Sequence, residues 1–527
     1  MTRKQLTGRQ RHRPRKRYSS SSSTQTPAPV QSMTRLFFTS DVCKSITLFI
    51  VIYIIVSILG SVFNITIVPS PKTLAHNVPN PRTISASLAT GISNIFMSKT
   101  PANTTNTAAV MTPIELDAHL RNMRTRWKIE NNFRVNSDGT TNYALDHFYQ
   151  SLYETKKNSA RHQTRIVHFG DSMIFGDNIT YKIRRRFHTD FGDAGHGYVL
   201  LEKPTPNYYF IDVYHASGGE WDIDRITSRH LDNHHLSLSG FAYSPIMDHN
   251  TTWVEIGTKG KGKYNTTAGQ FDIFYLAQPN GGTIEIMLNN DPTTIQHFSS
   301  QSPVTNLGVY TVTVPDGPNL LRITPENQHP VRLFDVLMKR HQSGVLYSTI
   351  AYLGASVFNF YLFDKQTWKQ QLSALDPDLF IIQLGTNDSE YTNVTKQRYK
   401  NHLLGIITRI HRAAPNTAIL FVSPLDRAHT VSNTITSIDT VAVIVEAQQE
   451  VARQTGTAFL NLYELFGGKG SARALHESSP RLITDDYTHP TTAGMRMIAD
   501  YIYTGIIDGF NDYCIAHHLL KTPEDAP

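Results

Sequence analysis

Three side chains in this sequence are of the types and spacing that hydroxyl chemistry requires. Ser172 ends the stretch Arg165-Ile-Val-His-Phe-Gly-Asp-Ser172, an apolar run that stops at Gly170 and is followed by a helical pattern. That order reads as strand, turn, helix. It puts the serine at the carboxyl end of a strand and the amino end of a helix, where free N–H groups and the helix dipole favour developing negative charge. Such a place suits an attacking hydroxyl. The hydroxyl needs a base that works near neutral pH, and the base needs an acceptor to fix its tautomer and stabilise its protonated form. One loop, Thr484-Asp-Asp-Tyr-Thr-His-Pro490, supplies both as Asp486 and His489. Two further turns, at Gly354 and at Gly385-Thr-Asn387-Asp388, also follow apolar runs.

The elements that must position these residues alternate between strand and helix. Apolar runs at 346–353, 378–384, 417–423 and 457–462 are separated by amphipathic patterns. Residues 396–413 place Tyr399, Leu403, Ile406, Ile407 and Ile410 on one face, and 437–455 ends at Gly456, a helix-stop signal. Earlier helices are expected at 114–128, 144–157 and 178–190. The last of these is read as capped by Asp177, with Lys182, Arg184, Arg185 and Arg186 as a solvated face. A final helix carries Met495, Ile498, Ala499 and Ile502. Alternating strands and helices predict a parallel sheet covered on both faces, with ligands bound beyond the carboxyl ends of the strands, where Ser172, Gly354 and Asn387 all fall.

Between 205 and 345 the texture changes to short alternating strands such as Thr283-Ile-Glu-Ile-Met-Leu288, separated by turns like Pro315-Asp-Gly-Pro318. This predicts an inserted antiparallel β-sandwich. Gly257-Thr-Lys-Gly-Lys-Gly-Lys263 approaches a phosphate-binding loop, but Tyr264 stands where Ser or Thr is required, so it reads as a turn. His230, His234 and His235 have ligand-like spacing without an acidic or thiol partner pattern, and no metal is assigned to them.

Charge and hydropathy divide the rest. The net charge of +7 resides in residues 1–44, which hold ten Lys or Arg against Asp41 alone; the remaining 483 residues sum to −2. The body therefore gives no electrostatic reason to expect nucleic acid. Residues 1–44, with the Ser19–Ser23 run, are too poor in apolar residues to fold and read as a disordered cytoplasmic tail. Residues 45–68 are uncharged and almost continuously apolar, long enough to span a bilayer; a cleaved signal peptide is the rival reading, against which the run is long and no clear small-x-small site follows it. The positive-inside rule keeps the tail in the cytoplasm and puts the chain from about residue 69 outside it. Residues 69–113, rich in Pro, Thr, Ser and Asn, read as a spacer. Cys43 and Cys514 would then lie on opposite sides of the membrane and cannot pair. Sequons at Asn178 and Asn387 fall among the candidate site residues, where a glycan would obstruct, so a bacterial envelope is favoured over a glycosylating route.

Gly170-Asp-Ser172, Gly354, Gly385-Thr-Asn387 and Asp486-Tyr-Thr-His489, in this order, resemble the four blocks of the SGNH, or GDSL, hydrolase family. The resemblance covers about 160–204 and 346–505, so the hydrolase domain would run over 114–204 and 346–527 around the insert. With Phe191-Gly-Asp-Ala-Gly-His-Gly-Tyr198 after the first helix, the layout is similar to peptidoglycan O-acetylesterases, which carry a carbohydrate-binding-like β module in the same place. The resemblance implies a three-layer, flavodoxin-like parallel sheet with Ser172 as nucleophile, His489 as base and Asp486 as its partner. It also implies that the Ser172 N–H, Gly354 and Asn387 donate to the oxyanion, and that no cofactor is needed. Met173, where those esterases commonly have histidine, is a departure that bears on the substrate. The function so implied is removal of O-acetyl groups from an envelope polysaccharide such as peptidoglycan, by an enzyme anchored in the bacterial inner membrane with its catalytic domain on the periplasmic or extracellular side. The same residues would serve an O-acetyltransferase with a membrane acyltransferase partner. A glycan-binding protein on a hydrolase scaffold is a third reading.

Overall fold

The computed structural model describes residues 111–123, 128–135, 139–157, 162–205, 208, 211–228, 235–246, 252–258, 265–326 and 329–519. The expected tail, membrane span, nearly all of the spacer, His230, His234 and the 259–263 loop lie outside the described residues. No helix among the described residues is long and apolar enough to cross a membrane.

The chain begins with α1 (Pro113–Met123), β1 (Glu130–Asn131), a small hairpin of β2 (Phe133–Val135) and β3 (Thr141–Tyr143), and α2 (Asp146–Lys156). The strand β4 (Gln163–Gly170), the short helix α3 (Ser172–Phe175) and α4 (Asn178–Phe191) follow. After the insert come β16 (Gly344–Ala351), a 3₁₀ turn at Val357–Leu362, α5 (Lys365–Leu375), β17 (Leu379–Gln383), α6 (Lys396–Ala413) and β18 (Ala418–Val422). A second hairpin of β19 (Ala428–Val431) and β20 (Thr434–Ser437) then leads to α7 (Thr440–Thr455), β21 (Ala458–Leu460), α8 (Leu462–Leu465), α9 (Ser471–Glu477) and α10 (Thr492–Ala516).

Five strands form a parallel sheet in the order β16-β4-β17-β18-β21, and β1 pairs antiparallel at the β21 edge. Taken along the chain this is order 2-1-3-4-5, the flavodoxin-like arrangement. The central strands are buried on both faces, which is why Leu379-Phe-Ile-Ile-Gln383 and Ala418-Ile-Leu-Phe-Val422 are continuous apolar runs rather than alternating ones. Helix α7 stops at Gly456, whose left-handed backbone lets its N–H reach the Ala452 carbonyl.

The insert occupies the crossover from β4 to β16 and leaves the order of the parallel sheet intact. Its strands are β5 (Gly197–Val199), β6 (Val213–Gly218), β7 (Trp221–Arg225), β8 (Phe241–Pro245), β9 (Trp253–Thr258), β10 (Ala268–Ala277), β11 (Thr283–Leu288), β12 (Asp291–Ser299), β13 (Asn306–Gly317), β14 (Leu320–Pro325) and β15 (Leu333–Lys339). They make two antiparallel sheets, β13-β10-β15-β8-β7 with β5 added to β15, and β12-β11-β14-β9-β6. Alternate residues such as Ile284, Ile286 and Leu288 turn into the core. Strand β12 escapes a reading of hydrophobic pattern: it is a mostly polar, exposed edge containing Pro292 that pairs only with β11 and is anchored by one buried side chain, Phe298, stacked on Tyr310.

Two local expectations are corrected. Asp177 holds the N-cap position of α4, but its side chain caps no backbone N–H: its backbone is left-handed, and its carboxylate instead accepts from Arg184 (2.6 and 3.1 Å), Thr349 (2.9 Å) and Thr180. Arg184 is not on a solvated face but 1% exposed, because the segment reaching the insert covers that side of α4 and brings Asp212 to 3.0 Å. Arg185 is exposed as expected, and Arg186 pairs with Asp500 at 3.0 Å. Asp177, His196 and Asp212 converge closely enough to hold a metal ion, but the Arg184 guanidinium already donates to both carboxylates. Removing the cation from a buried pair leaves the carboxylates uncompensated. Arg184→Met should therefore lower the urea-unfolding free energy by about 3–5 kcal/mol, whereas Arg185→Ala should change it by less than about 0.5 kcal/mol. Equal effects would show that the Arg184 network is not a stabilising feature.

Candidate active site

The strand order reverses between β4 and β17, and the candidate residues gather at that crevice. Gly170 at the end of β4 is level with Gln383 at the end of β17 on one side and Ala351 at the end of β16 on the other. The turns bearing Ser172, Gly354 and Asn387 thus leave the sheet from one edge. Gly170 has no room for a side chain: a Cβ would lie 2.8 Å from the Gln383 carbonyl oxygen and from Ile174 Cδ1. This close approach explains the glycine two residues before the serine.

Ser172 is the first residue of α3. Asp171 caps that helix, its carboxylate accepting from Met173 N at 2.9 Å. The serine Oγ is 2.9 Å from His489 Nε2, and His489 Nδ1 is 2.6 Å from Asp486 Oδ2. A carboxylate only accepts, so Nδ1 carries the proton and Nε2 is left to accept from the serine hydroxyl. The short spacing from Asp486 to His489 works because the carboxylate also organises its own loop. Its other oxygen accepts from the N–H groups of Thr488 and His489, each at 2.9 Å, and from the Thr484 hydroxyl at 2.7 Å. Partial burial would raise this carboxyl's pKa, but the hydrogen bonds from His489, Thr484 and Thr488 outweigh it and hold Asp486 well below the usual carboxylate range. It is therefore an anion wherever His489 can act.

Gly354 sits on an exposed turn in left-handed conformation, with open space where a side chain would project. Asn387 donates one amide hydrogen to the Ala355 carbonyl at 3.0 Å, which ties the two turns together and leaves the second hydrogen of its amide. The backbone N–H groups of Ser172 and Gly354 donate to no acceptor among the described residues. The structure thus brings Ser172, His489 and Asp486 into one hydrogen-bonded chain, and joins the Gly354 and Asn387 turns beside it. His235, from the histidine group, lies elsewhere, with its Nδ1 2.7 Å from the Thr367 hydroxyl.

Sequence reasoning missed the charged groups beneath the site. Asp388 accepts from Ser356 Oγ at 2.6 Å and Val357 N at 3.0 Å, and burial pushes its carboxyl up to about 7. Burial likewise raises Asp171 to about 6. Arg427, 9% exposed, donates to Thr386 O (2.5 Å), Ser389 Oγ (2.7 Å), Glu390 Oε1 (2.5 Å) and Thr488 Oγ1 (3.2 Å). One guanidinium therefore joins the turn that carries Asn387 to the loop that carries His489. The available signal was its place just after the 417–423 run, at the same edge of the sheet.

Two outcomes follow from these groups. Arg427→Lys keeps the charge but not the fork, so kcat on an acetyl ester should fall by up to about 10²-fold with KM nearly unchanged. Loss of activity only in step with a lowered melting temperature would make Arg427 a packing residue. For Asp388, the folded state holds a proton between about pH 4 and 7 that the unfolded chain has released, so stability falls as pH rises through that window. Asp388→Asn removes this contribution. From about pH 4.5 to about 7.5 the variant should lose about 2–4 kcal/mol less unfolding free energy than the native protein; parallel pH profiles would refute the assignment.

Comparison with known proteins sets this geometry in context. Residues 325–497 match the GDSL-like lipase/acylhydrolase family. A peptidoglycan O-acetylesterase structure superposes with a TM-score of 0.58 over 69% of this chain and 96% of its own, at 18% identity. At that identity the likeness is one of fold. A putative GDSL-like lipase from Parabacteroides merdae (19% identity, 31% of this chain, 72% of its own, TM-score 0.25) and a family two carbohydrate esterase from Clostridium thermocellum with cellohexaose (11%, 56%, 99%, 0.24) superpose too loosely to carry an argument. No curated protein matches the chain.

Proposed function

We propose that this protein, a member of the GDSL-like lipase/acylhydrolase family over residues 325–497 and a hydrolase of ester bonds, removes O-acetyl groups from an envelope polysaccharide such as peptidoglycan. The observation that carries the reading is the unbroken chain from Ser172 Oγ through His489 to Asp486, at 2.9 and 2.6 Å. Ser172 Oγ attacks the ester carbonyl while His489 Nε2 takes its proton. Asp486 holds the ring in place and stabilises the imidazolium. The carbonyl oxygen becomes an anion within reach of the Ser172 and Gly354 N–H groups and the remaining Asn387 amide hydrogen, donors that need no reorganisation as the charge appears. The tetrahedral intermediate collapses, His489 returns the proton to the departing sugar oxygen, and the acetyl group stays on Ser172. Water activated by His489 then releases acetate.

The uncharged 45–68 segment, preceded by ten basic residues, supports a single-pass anchor that holds this domain outside the cytoplasm.

Ser172→Ala and His489→Ala should each abolish acetate release from an acetylated polysaccharide and from a chromogenic acetyl ester. Asp486→Ala should retain more activity, since an unoriented histidine still accepts a proton. Asn387→Ala should slow acylation by about 10²–10³ with little change in substrate affinity. Undiminished turnover by Ser172→Ala would remove the nucleophile and with it this mechanism.

A further inference from the structure

Beside the Asn387 turn, the chain that leaves Gly354 forms one wall of a groove of about 670 Å³, and α6 forms the other. Val357 links groove to site: it lines the groove, and its N–H donates to Asp388, the neighbour of Asn387. Four cations, Lys365, Lys369, Arg409 and Arg412, line the groove with a single carboxylate, Asp364. That carboxylate is engaged in capping α5, accepting from Thr367 N at 2.7 Å. Arg409 donates to the Phe360 and Phe363 carbonyls and stiffens the wall. Lys365, Lys369 and Arg412 are exposed and have no acidic partner among the described residues.

On α6 itself, Lys396 and Lys400 point away from the groove and are paired with Glu450 at 2.7 and 2.8 Å. Lys365, Lys369 and Arg412 thus bring three exposed cations to one groove, on a protein body whose net charge outside the basic tail is −2. Tyr361 stands at the same groove, 74% exposed. An exposed ring with an apolar face and a polar tip is a surface on which a sugar can rest. The volume lies in the range of ligand-binding clefts, about 300–1,000 Å³.

We propose that this groove binds the carboxylates of an acidic glycan, so that the enzyme selects anionic polysaccharide and presents its acetyl esters to Ser172. The inference rests on the polysaccharide reading above and narrows it to chains bearing acid groups. Unpaired cations in a groove attract such a chain, lower its KM and make that KM depend on salt.

The test uses the full-length protein and a Lys365→Gln/Lys369→Gln/Arg412→Gln variant, which spares Arg409. Substrates are acetylated polygalacturonate, acetylated xylan and p-nitrophenyl acetate. The native protein should show a lower KM for the acidic polymer, rising as salt is added. The variant should raise that KM by about tenfold or more and leave xylan and p-nitrophenyl acetate within about twofold. The small ester reports that fold and catalytic residues are intact. Equal KM values of the native protein for the two polymers, or an equal rise for both in the variant, overturns the groove and leaves the esterase standing. If neither polymer is deacetylated while the small ester is, the polysaccharide reading fails. The groove is then decided by binding of unacetylated polygalacturonate, which the native protein should bind and the variant should lose. Tighter binding of duplex DNA than of polygalacturonate would also overturn it.

Discussion

The contact between the ends of β4 and β17 governs this architecture. Gly170 lies so close to the Gln383 carbonyl and to Ile174 that only a hydrogen fits where a side chain would be. Because these ends are level, Ser172 emerges directly opposite the Asn387 turn. The strand order that reverses at this point opens the crevice in which the His489 loop can meet them. A larger residue at 170 would separate the two strands or tilt α3, and either change alters the 2.9 Å approach of serine to histidine.

Around that contact the site is irregular backbone, and irregular backbone inside a protein needs partners for its polar groups. Arg427 supplies them on one side by donating to Thr386, Ser389, Glu390 and Thr488. Asp388 supplies them on the other by accepting from Ser356 and Val357. Asp486 does the same for its own loop. Burial of the Asp171 and Asp388 carboxyls opposes their ionisation and costs stability as pH rises. What the arrangement secures is a fixed position for residues that a loop alone would leave free.

The β insert is accommodated without disturbing this edge because it replaces nothing in the parallel sheet. It enters after α4 and returns directly into β16, so the crossover between neighbouring strands is preserved. Arg184 binds the two parts together at that point, with one carboxylate from the turn after Ser172 and one from the segment that leads into β6.

The parallel strands and main helices were legible because their causes are local. Fully buried strands leave apolar runs, amphipathic helices leave a 3.6-residue period, and Gly456 marks a stop. Ser172, Gly354, Asn387, Asp486 and His489 were legible as residue types following those strands or preceding the last helix, and Asp486 and His489 contact each other through three residues of spacing alone. Their meeting with Ser172, 317 residues away, was decided by the strand order, which no local pattern carries. The polar edge β12 was hidden because it rests on main-chain pairing to β11 and buries a single side chain, Phe298, which leaves no period in the sequence. Arg184 and Arg427 were hidden for a related reason. A lone arginine reads as surface in a sequence, and only tertiary structure brings the distant carboxylates, carbonyls and hydroxyls that make its burial favourable.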